Sequence, residues 1–285
     1  AFFGKFLRDL HPAPASKPRW KPAAGGSAER SFLAQLQQTQ LWQPGAPLRL
    51  HLGCGEQRFD GYVNVDFPPA EHTVQTSVAA DIFADIIRLD LPAASVDEVR
   101  LHHVFEHFDR PTALALLCRW QRWLKPGGRL TIETPDADAS AHLLTEPQPS
   151  FAQKQVVLRH LFGSHEAGWA VHYDGWYPAK YQRVLGALGF GEIHCRLGEW
   201  QMTRNVTASA VKVAMRSPGE LATAVADILR ENLVDASASE TRLHGIWMEK
   251  FTRLHAAPTP TNSQCQPVEC QPDATQRAFS LPRRR

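Results

Sequence analysis

The chain has 285 residues, 43% of them hydrophobic and 21% charged, enough apolar content for a sizeable core and too much for wholesale disorder. Thirty-one basic residues face 29 acidic ones, a near-neutral balance that leaves no nucleic-acid footprint. Five cysteines, an odd number without a C-x-x-C, read as reduced thiols of a cytoplasmic protein, and no apolar run reaches the ~18 residues of a membrane span.

In chain order, residues 1–10, AFFGKFLRDL, put Phe3, Phe6, Leu7 and Leu10 on one helical face. A helix this short does not persist alone in water, where about 12–15 residues are needed, so it must dock. Two occupants stay open: its own domain or a partner subunit of a homo-oligomer, and a membrane surface. Residues 11–26 hold four prolines and two glycines and read as a linker. Ser27 is the expected N-cap of a helix running to about Trp42 and closed by Pro44-Gly45.

From Pro47 the pattern changes. LRLHLGCGE (48–56), YVNVDF (62–67), ADIFAD (80–85), VDEVRLHHV (96–104) and RLTIETPD (129–136) read as five strands. Leu114, Leu117 and Trp120 place a helix over Pro111–Leu124, followed by a turn at KPGG. Pro178 opens another helix with Tyr181, Val184, Leu185 and Leu188 on one face and Gly189 at its left-handed end. FGEIHCRLG and VTASAVKVAMR read as two closing strands, and residues 219–254 as one or two helices. Strands alternating with helices or loops predict a parallel sheet with helices on its faces. The expected organisation is an N-terminal extension (1–46), an α/β domain (47–216), a C-terminal helical segment (217–255) and a Pro/Gln/Thr/Ser-rich disordered tail (256–285).

HLGCGE sets Gly53 and Gly55 just after a strand, where glycine permits close backbone approach to a ligand at the carboxyl edge of a sheet. Arg58 stands where a third glycine of G-x-G-x-x-G would be, and no G-K-[ST] follows, which disfavours a dinucleotide cradle and excludes a P-loop. Asp66 ends the second strand, where a carboxylate can accept both hydroxyls of a ribose. Asp85 ends the third, where one can accept from an exocyclic amine such as that of adenine. A nucleoside without phosphates fits these groups better than a dinucleotide.

LHLGCGEQRFDGYVNVDF, ADIIRLDLPAASVDEVRLHHVFEHF and WLKPGGRLTIETPD resemble, in order, the successive motifs of class I S-adenosylmethionine-dependent methyltransferases. The first is similar to the branch with a short G-[YW]-x-N-x-D loop, met among methyltransferases of glycans and small molecules. HYDGWYPAKYQRVLGALGF resembles the end of that branch. The resemblance covers about residues 47–216. It implies a Rossmann-like seven-stranded sheet, mostly parallel with one antiparallel strand and helices on both faces. It also implies S-adenosyl-L-methionine as cofactor and a small-molecule or glycan acceptor. By the same resemblance Gly53, Cys54 and Gly55 face the methionine part, Asp66 holds the ribose, Asp85 and Ile86 flank the adenine, and His102 and His103 close over the cofactor. His51 departs from the pattern, because many members carry an acid two positions before the first glycine, so the cofactor's ammonium needs another partner.

His103-Val104-Phe105-Glu106-His107 also spells the H-x-x-E-H of a zinc peptidase. That site needs both histidines on one helix. Here a strand precedes them and Pro111 restarts the chain as a new helix, which argues against it. A second metal reading stays open. The stretch is similar to the Glu-x-x-Glu-His motif by which some O-methyltransferases bind a divalent ion, with His103 in place of the first glutamate. A His/Glu/His set favours zinc or another transition metal over magnesium. The competing reading lets Glu106 and His107 bond the loop, cap the next helix or line the acceptor pocket, and no residue is assigned as a metal ligand on sequence alone.

For a hydroxyl acceptor a general base is expected. The candidates are His107 and His172, the latter set among aromatics in VHYDGWYP, with Glu106 next. His142, His160 and His165 read as surface or packing residues, and Trp169, Trp176 and Tyr177 as core. A different class of function, a cofactor-binding scaffold without turnover, is compatible with the same cofactor motifs.

Overall fold

The computed structural model describes residues 31–68 and 77–256 and the backbone of residues 266 and 267. The N-terminal amphipathic segment and linker, and nearly all of the expected tail, lie outside the described residues. So does Ser27; the first described helix, α1 (Phe32–Gln38), is instead capped by the Ser31 side chain, and it ends four residues before Trp42.

Seven strands follow: β1 (Arg49–Leu52), β2 (Val63–Asp66), β3 (Ile82–Phe83), β4 (Val96–His102), β5 (Leu124–Pro135), β6 (Phe190–Trp200) and β7 (Thr203–Lys212). The two-residue β8 (Gln266–Pro267) adds to one edge. The sheet order is β6-β7-β5-β4-β1-β2-β3-β8. β1 pairs in parallel with β2 and β4, β2 with β3, and β4 with β5, while β7 runs antiparallel to β5 and β6. This is the expected Rossmann-like sheet of seven strands, parallel but for β7, with β8 as an addition antiparallel to β3.

The strand sequences follow from their places. β2 is buried along its whole length, and β1 at all but Arg49, as central strands are when helices or loops cover both faces of a sheet. β7 alternates buried Val206, Ala208, Ala210 and Lys212 with partly exposed residues, the period of a strand covered mainly on one side. KPGG is not a free turn: the segment from Leu124 is drawn into the start of β5, with an irregularity opposite Val96–Glu98.

α2 (Arg110–Trp123) starts where Asp109 accepts from Thr112 N–H at 3.1 Å, with Pro111 in the first turn. Twelve of its residues are buried. It lies between the sheet and α7 (Ala238–His255), whose Phe251 joins the same core as Leu221, Val225 and Leu229 of α6 (Pro218–Arg230). The Arg119 guanidinium, 8% exposed, donates to the carbonyls of Ile87, Leu89 (3.4 Å) and Leu254 (2.9 Å), tying the loop after β3 to the end of α7.

Between β5 and β6 the chain forms α3 (Ala137–Thr145), α4 (Phe151–Phe162) and α5 (Pro178–Ala187). Gly189 takes the expected left-handed conformation, φ +90°. Trp176 is buried at 2% exposure, whereas Trp169 (47%) and Tyr177 (39%) lie at the surface rather than in the core. No helix among the described residues is long and apolar enough to cross a membrane.

Candidate active site

After β1 the chain turns to β2 on one side of it, and after β3 it returns to lay β4 on the other. The crevice beyond the carboxyl ends of β1 and β4 is therefore the topological switch point, where open parallel sheets bind ligands. Two groups of side chains meet there.

The first belongs to β1–β3. Gly53 has φ +71°, and a Cβ added to it would lie 2.3 Å from Val104 Cγ2, so only glycine lets the turn pass under the loop after β4. Asp66 closes β2; its Oδ2 accepts from Gly55 N–H at 2.5 Å and its Oδ1 from Phe67 N–H at 2.6 Å. These bonds hold the carboxylate against the glycine turn. Asn64 is the centre of the group. Its Oδ1 accepts from Phe59 N–H (3.0 Å), and its Nδ2 donates to the carbonyls of Phe59 and Tyr62 and to Asp81 Oδ2. Asp81, unnoticed in the sequence, also takes Asn64 N–H (2.9 Å) and pairs with Arg58.

His51 is fully buried, with Nδ1 3.1 Å from Asn64 Oδ1. An amide oxygen only accepts, so Nδ1 carries the proton. Burial pushes this imidazole down to about 4, so it is neutral at pH 7. Its Nε2 lone pair has no hydrogen-bond partner among the described residues. Burial pushes the Cys54 thiol up to about 12, which leaves it unreactive. Asp85 lies two residues past β3, where Oδ1 accepts from Ile87 N–H at 2.9 Å and Oδ2 lies 3.4 Å from Arg88. Ile86 is part of the core.

The second group stands at the ends of β4 and β5. Register pairs His102 with Glu133. His103 takes φ +52°, a strained conformation for a side-chain-bearing residue. That conformation puts its ring between two carboxylates: Nδ1 lies 3.4 Å from Glu106 Oε1, and Nε2 lies 3.5 Å from Glu133 Oε1. Burial opposes its charge, but Glu106 and Glu133 outweigh this and push it up to about 10. The imidazoles of His102 and His103 hold Glu133 far below the usual carboxylate range, and Thr207 donates to its Oε2 at 2.7 Å.

Phe105–His107 form one 3-10 turn, not a longer helix, which removes the geometry of the peptidase motif. Glu106 is 2% exposed, and neither of its oxygens makes a hydrogen bond among the described residues. Burial disfavours its charge, but the surrounding imidazoles, His103 foremost, keep it below the ordinary carboxylate value. His107 Nδ1 donates to the Val171 carbonyl at 3.2 Å, a bond that brings Val171 and His172 to the cluster. The His107 and His172 rings meet edge to face at 4.6 Å. His172 Nε2 lies 4.0 Å from Glu106 Oε1, and burial lowers its pKa to about 4.

The structure thus brings together His103, Glu106, His107 and His172, and adds Glu133 and His160. The His160 ring is 5.8 Å from His103, and its Nε2 is 2.9 Å from Asn205 Oδ1. Of the other histidines set aside in the sequence, His142 is exposed and His165 contacts the Phe162 carbonyl. Phe59 joins the two groups by stacking on His102 (5.3 Å) and meeting the His51 ring at 4.6 Å.

Residues 50–132, from β1 into β5, match the family model described as a methyltransferase domain. The matched segment covers less than half of the chain. Among solved structures, the chain is similar to the 1,6-didemethyltoxoflavin-N1-methyltransferase of Burkholderia thailandensis, with 16% identity over 60% of this chain and 73% of that one and a TM-score of 0.40. A methyltransferase from Methanosarcina mazei gives 13% identity, 62% and 97% coverage and a TM-score of 0.39. Human N-acetylserotonin methyltransferase gives 16%, 67% and 61%, and 0.37. A search of curated proteins returns no match.

Proposed function

We propose that this chain transfers the methyl group of S-adenosylmethionine to a hydroxyl of a small-molecule or glycan acceptor held beyond β4 and β5. The observation that carries this reading is the contact of Gly53 with Val104. It sets a turn fit for the cofactor one residue from a loop bearing His103, Glu106 and His107.

When bound, the cofactor supplies a methyl group on a sulfonium, already a strong electrophile. The chain's residues then hold, orient and deprotonate. The backbone of Gly53, Cys54 and Gly55 gives room for the methionine part. Asp66, anchored by two backbone donors, would take the ribose hydroxyls, and Asp85 and Ile86 would flank the adenine. His51 replaces the acid usual at its position. Its unpartnered Nε2 suits an N–H of the cofactor's ammonium, which an imidazolium could not accept. His102, stacked on Phe59, and His103 stand over the same crevice.

Positioning the acceptor in line with the methyl group can contribute roughly 7–11 kcal/mol. A general base adds roughly 10²–10⁴-fold. His107 and His172 are the candidates: the Val171 carbonyl holds the Nδ1 proton of His107 and leaves Nε2 as its reactive nitrogen, and burial lowers the pKa of His172 to about 4. Glu106 is the third, an anion beside both. The base would take the acceptor hydroxyl's proton as that oxygen receives the methyl group, and the bound cofactor would keep the electron pair of the broken carbon–sulfur bond on its sulfur.

The test is release of S-adenosylhomocysteine with pooled metabolites and glycans, read with mass-spectrometric detection of an added methyl. Loss of turnover in His107→Ala and His172→Ala with cofactor affinity unchanged supports the base assignment. Cofactor binding without turnover on any acceptor would favour a scaffold instead.

A further inference from the structure

We propose that Glu106, His107 and His172 form a binding site for one divalent transition-metal ion of the zinc class. One ligand atom from each lies within 4.8 Å of the other two. Around an ion at about 2.1 Å from each donor, ligand atoms stand at most roughly 4.2 Å apart, so small side-chain rotations close the set.

Two observations point to a ligand here, beyond the clustering itself. The first is Glu106, 2% exposed and without a hydrogen bond to either oxygen. Asp136, equally buried, shows how this fold treats a structural carboxylate: it accepts from Asp138 and Ala139 N–H at 3.0 and 3.1 Å to cap α3. Among the described residues no backbone amide serves Glu106; only imidazoles face it, with His103 Nδ1 at 3.4 Å and His172 Nε2 at 4.0 Å from Oε1. The second is the imidazole orientation. The Val171 carbonyl takes the proton of His107 Nδ1, so Nε2 presents its lone pair, the tautomer that a carbonyl behind a metal-bound histidine enforces. His172 stands at right angles to it, with Nε2 toward Glu106.

Two imidazoles and one carboxylate suit zinc, cobalt or iron better than magnesium or calcium. Three protein ligands leave a position for an acceptor oxygen, whose proton an ion of this kind makes easier to remove, so with the ion bound His107 and His172 act as ligands and the ion takes over the part of the side-chain base. That last role rests on the methyl-transfer reading; ion binding does not.

The experiment is equilibrium dialysis of the full chain against Zn²⁺ and, separately, Co²⁺, without cofactor, followed by metal analysis. One ion per chain is expected, with a Co²⁺ visible spectrum of nitrogen and oxygen ligation. Glu106→Gln, His107→Ala and His172→Ala should each weaken binding by about 100-fold or more, and circular dichroism should show each folded. His103→Asn, which removes a neighbouring cation and suits the left-handed backbone, should retain the ion. Absence of stoichiometric binding, a thiolate signature in the Co²⁺ spectrum, or unchanged affinity in the three ligand variants overturns the site. Wild-type Co²⁺ spectroscopy decides even if a variant misfolds. Cofactor binding, measured separately by calorimetry, tells failure of the ion site from failure of the methyl-transfer reading.

Discussion

The two sides of the crevice are built on opposite plans. On the β1–β3 side the polar side chains are mostly bonded to one another and to the backbone: Asn64 to five groups, Asp66 to two amides, Asp81 to Asn64 and Arg58. On the β4–β5 side, among the described residues, Glu106 is paired with His103 but has neither oxygen hydrogen-bonded, and His102 and His172 each keep a buried nitrogen without a bond. A saturated network is rigid and suits a part that must hold one shape. An unsaturated one carries a desolvation cost that the His103 imidazolium offsets at Glu106 and that a ligand, an ion or a reacting group relieves further.

The contrast can be broken most sharply at the seam. Gly53→Ala adds a Cβ against Val104 and strains a left-handed residue, for an expected loss of about 3–5 kcal/mol of stability together with cofactor binding. Val104→Ala in the same chain should restore much of it, as a thermal-denaturation double-mutant cycle would show; no rescue would mean the contact is not the cause.

Next, Asn64→Ala should cost about 2–4 kcal/mol, because it strands partners in the saturated group. Urea unfolding measures this, and a loss below about 1 kcal/mol would deny that the network is cohesive.

The two sides should also part with pH. His51 has its folded value pushed down to about 4 against 6.5 unfolded. Folding therefore favours its neutral form. That stability is present above about pH 6.5 and is lost as pH falls toward 4, by at most about 3 kcal/mol. His51→Asn should flatten this acid limb.

His103 has the opposite sign. Its value is raised to about 10, so its contribution is complete below about pH 6.5 and is lost as pH rises toward 10. Its ring is two-fifths exposed, so solvent screening limits the effect to less than about 1 kcal/mol. His103→Asn should remove this alkaline slope in melting experiments, and an unchanged slope would assign it elsewhere.

The saturated side was largely legible in the sequence. Gly53 and Gly55 follow a short apolar run, and Asp66 closes the next, because strand, turn and strand are consecutive and their roles depend on neighbours in the chain. Even there, Asp81 escaped notice, since its partners Asn64 and Arg58 are 17 and 23 residues away. On the other side, His103, Glu106 and His107 stood out as a motif, and His172 as a histidine among aromatics. Their meeting did not. It depends on the His107–Val171 bond across 64 residues, and Glu133 enters only through the register of β5 on β4. α3 and α4 left no clear reading, and the exposure of Trp169 and Tyr177 was misjudged, because aromatic residues alone do not say which face is covered.

Hydrophobic period, glycine placement and the capping pair Asp109–Pro111 are local properties. They were enough to determine the strands, the turn and the principal helix, because each depends on backbone sterics and burial within a few residues. Which imidazole faces which carboxylate, and which of those groups goes without a hydrogen bond, was decided only when β4, β5 and the 163–177 segment packed together. Electrostatics and desolvation depend on distances of a few ångströms between atoms that the chain itself keeps far apart.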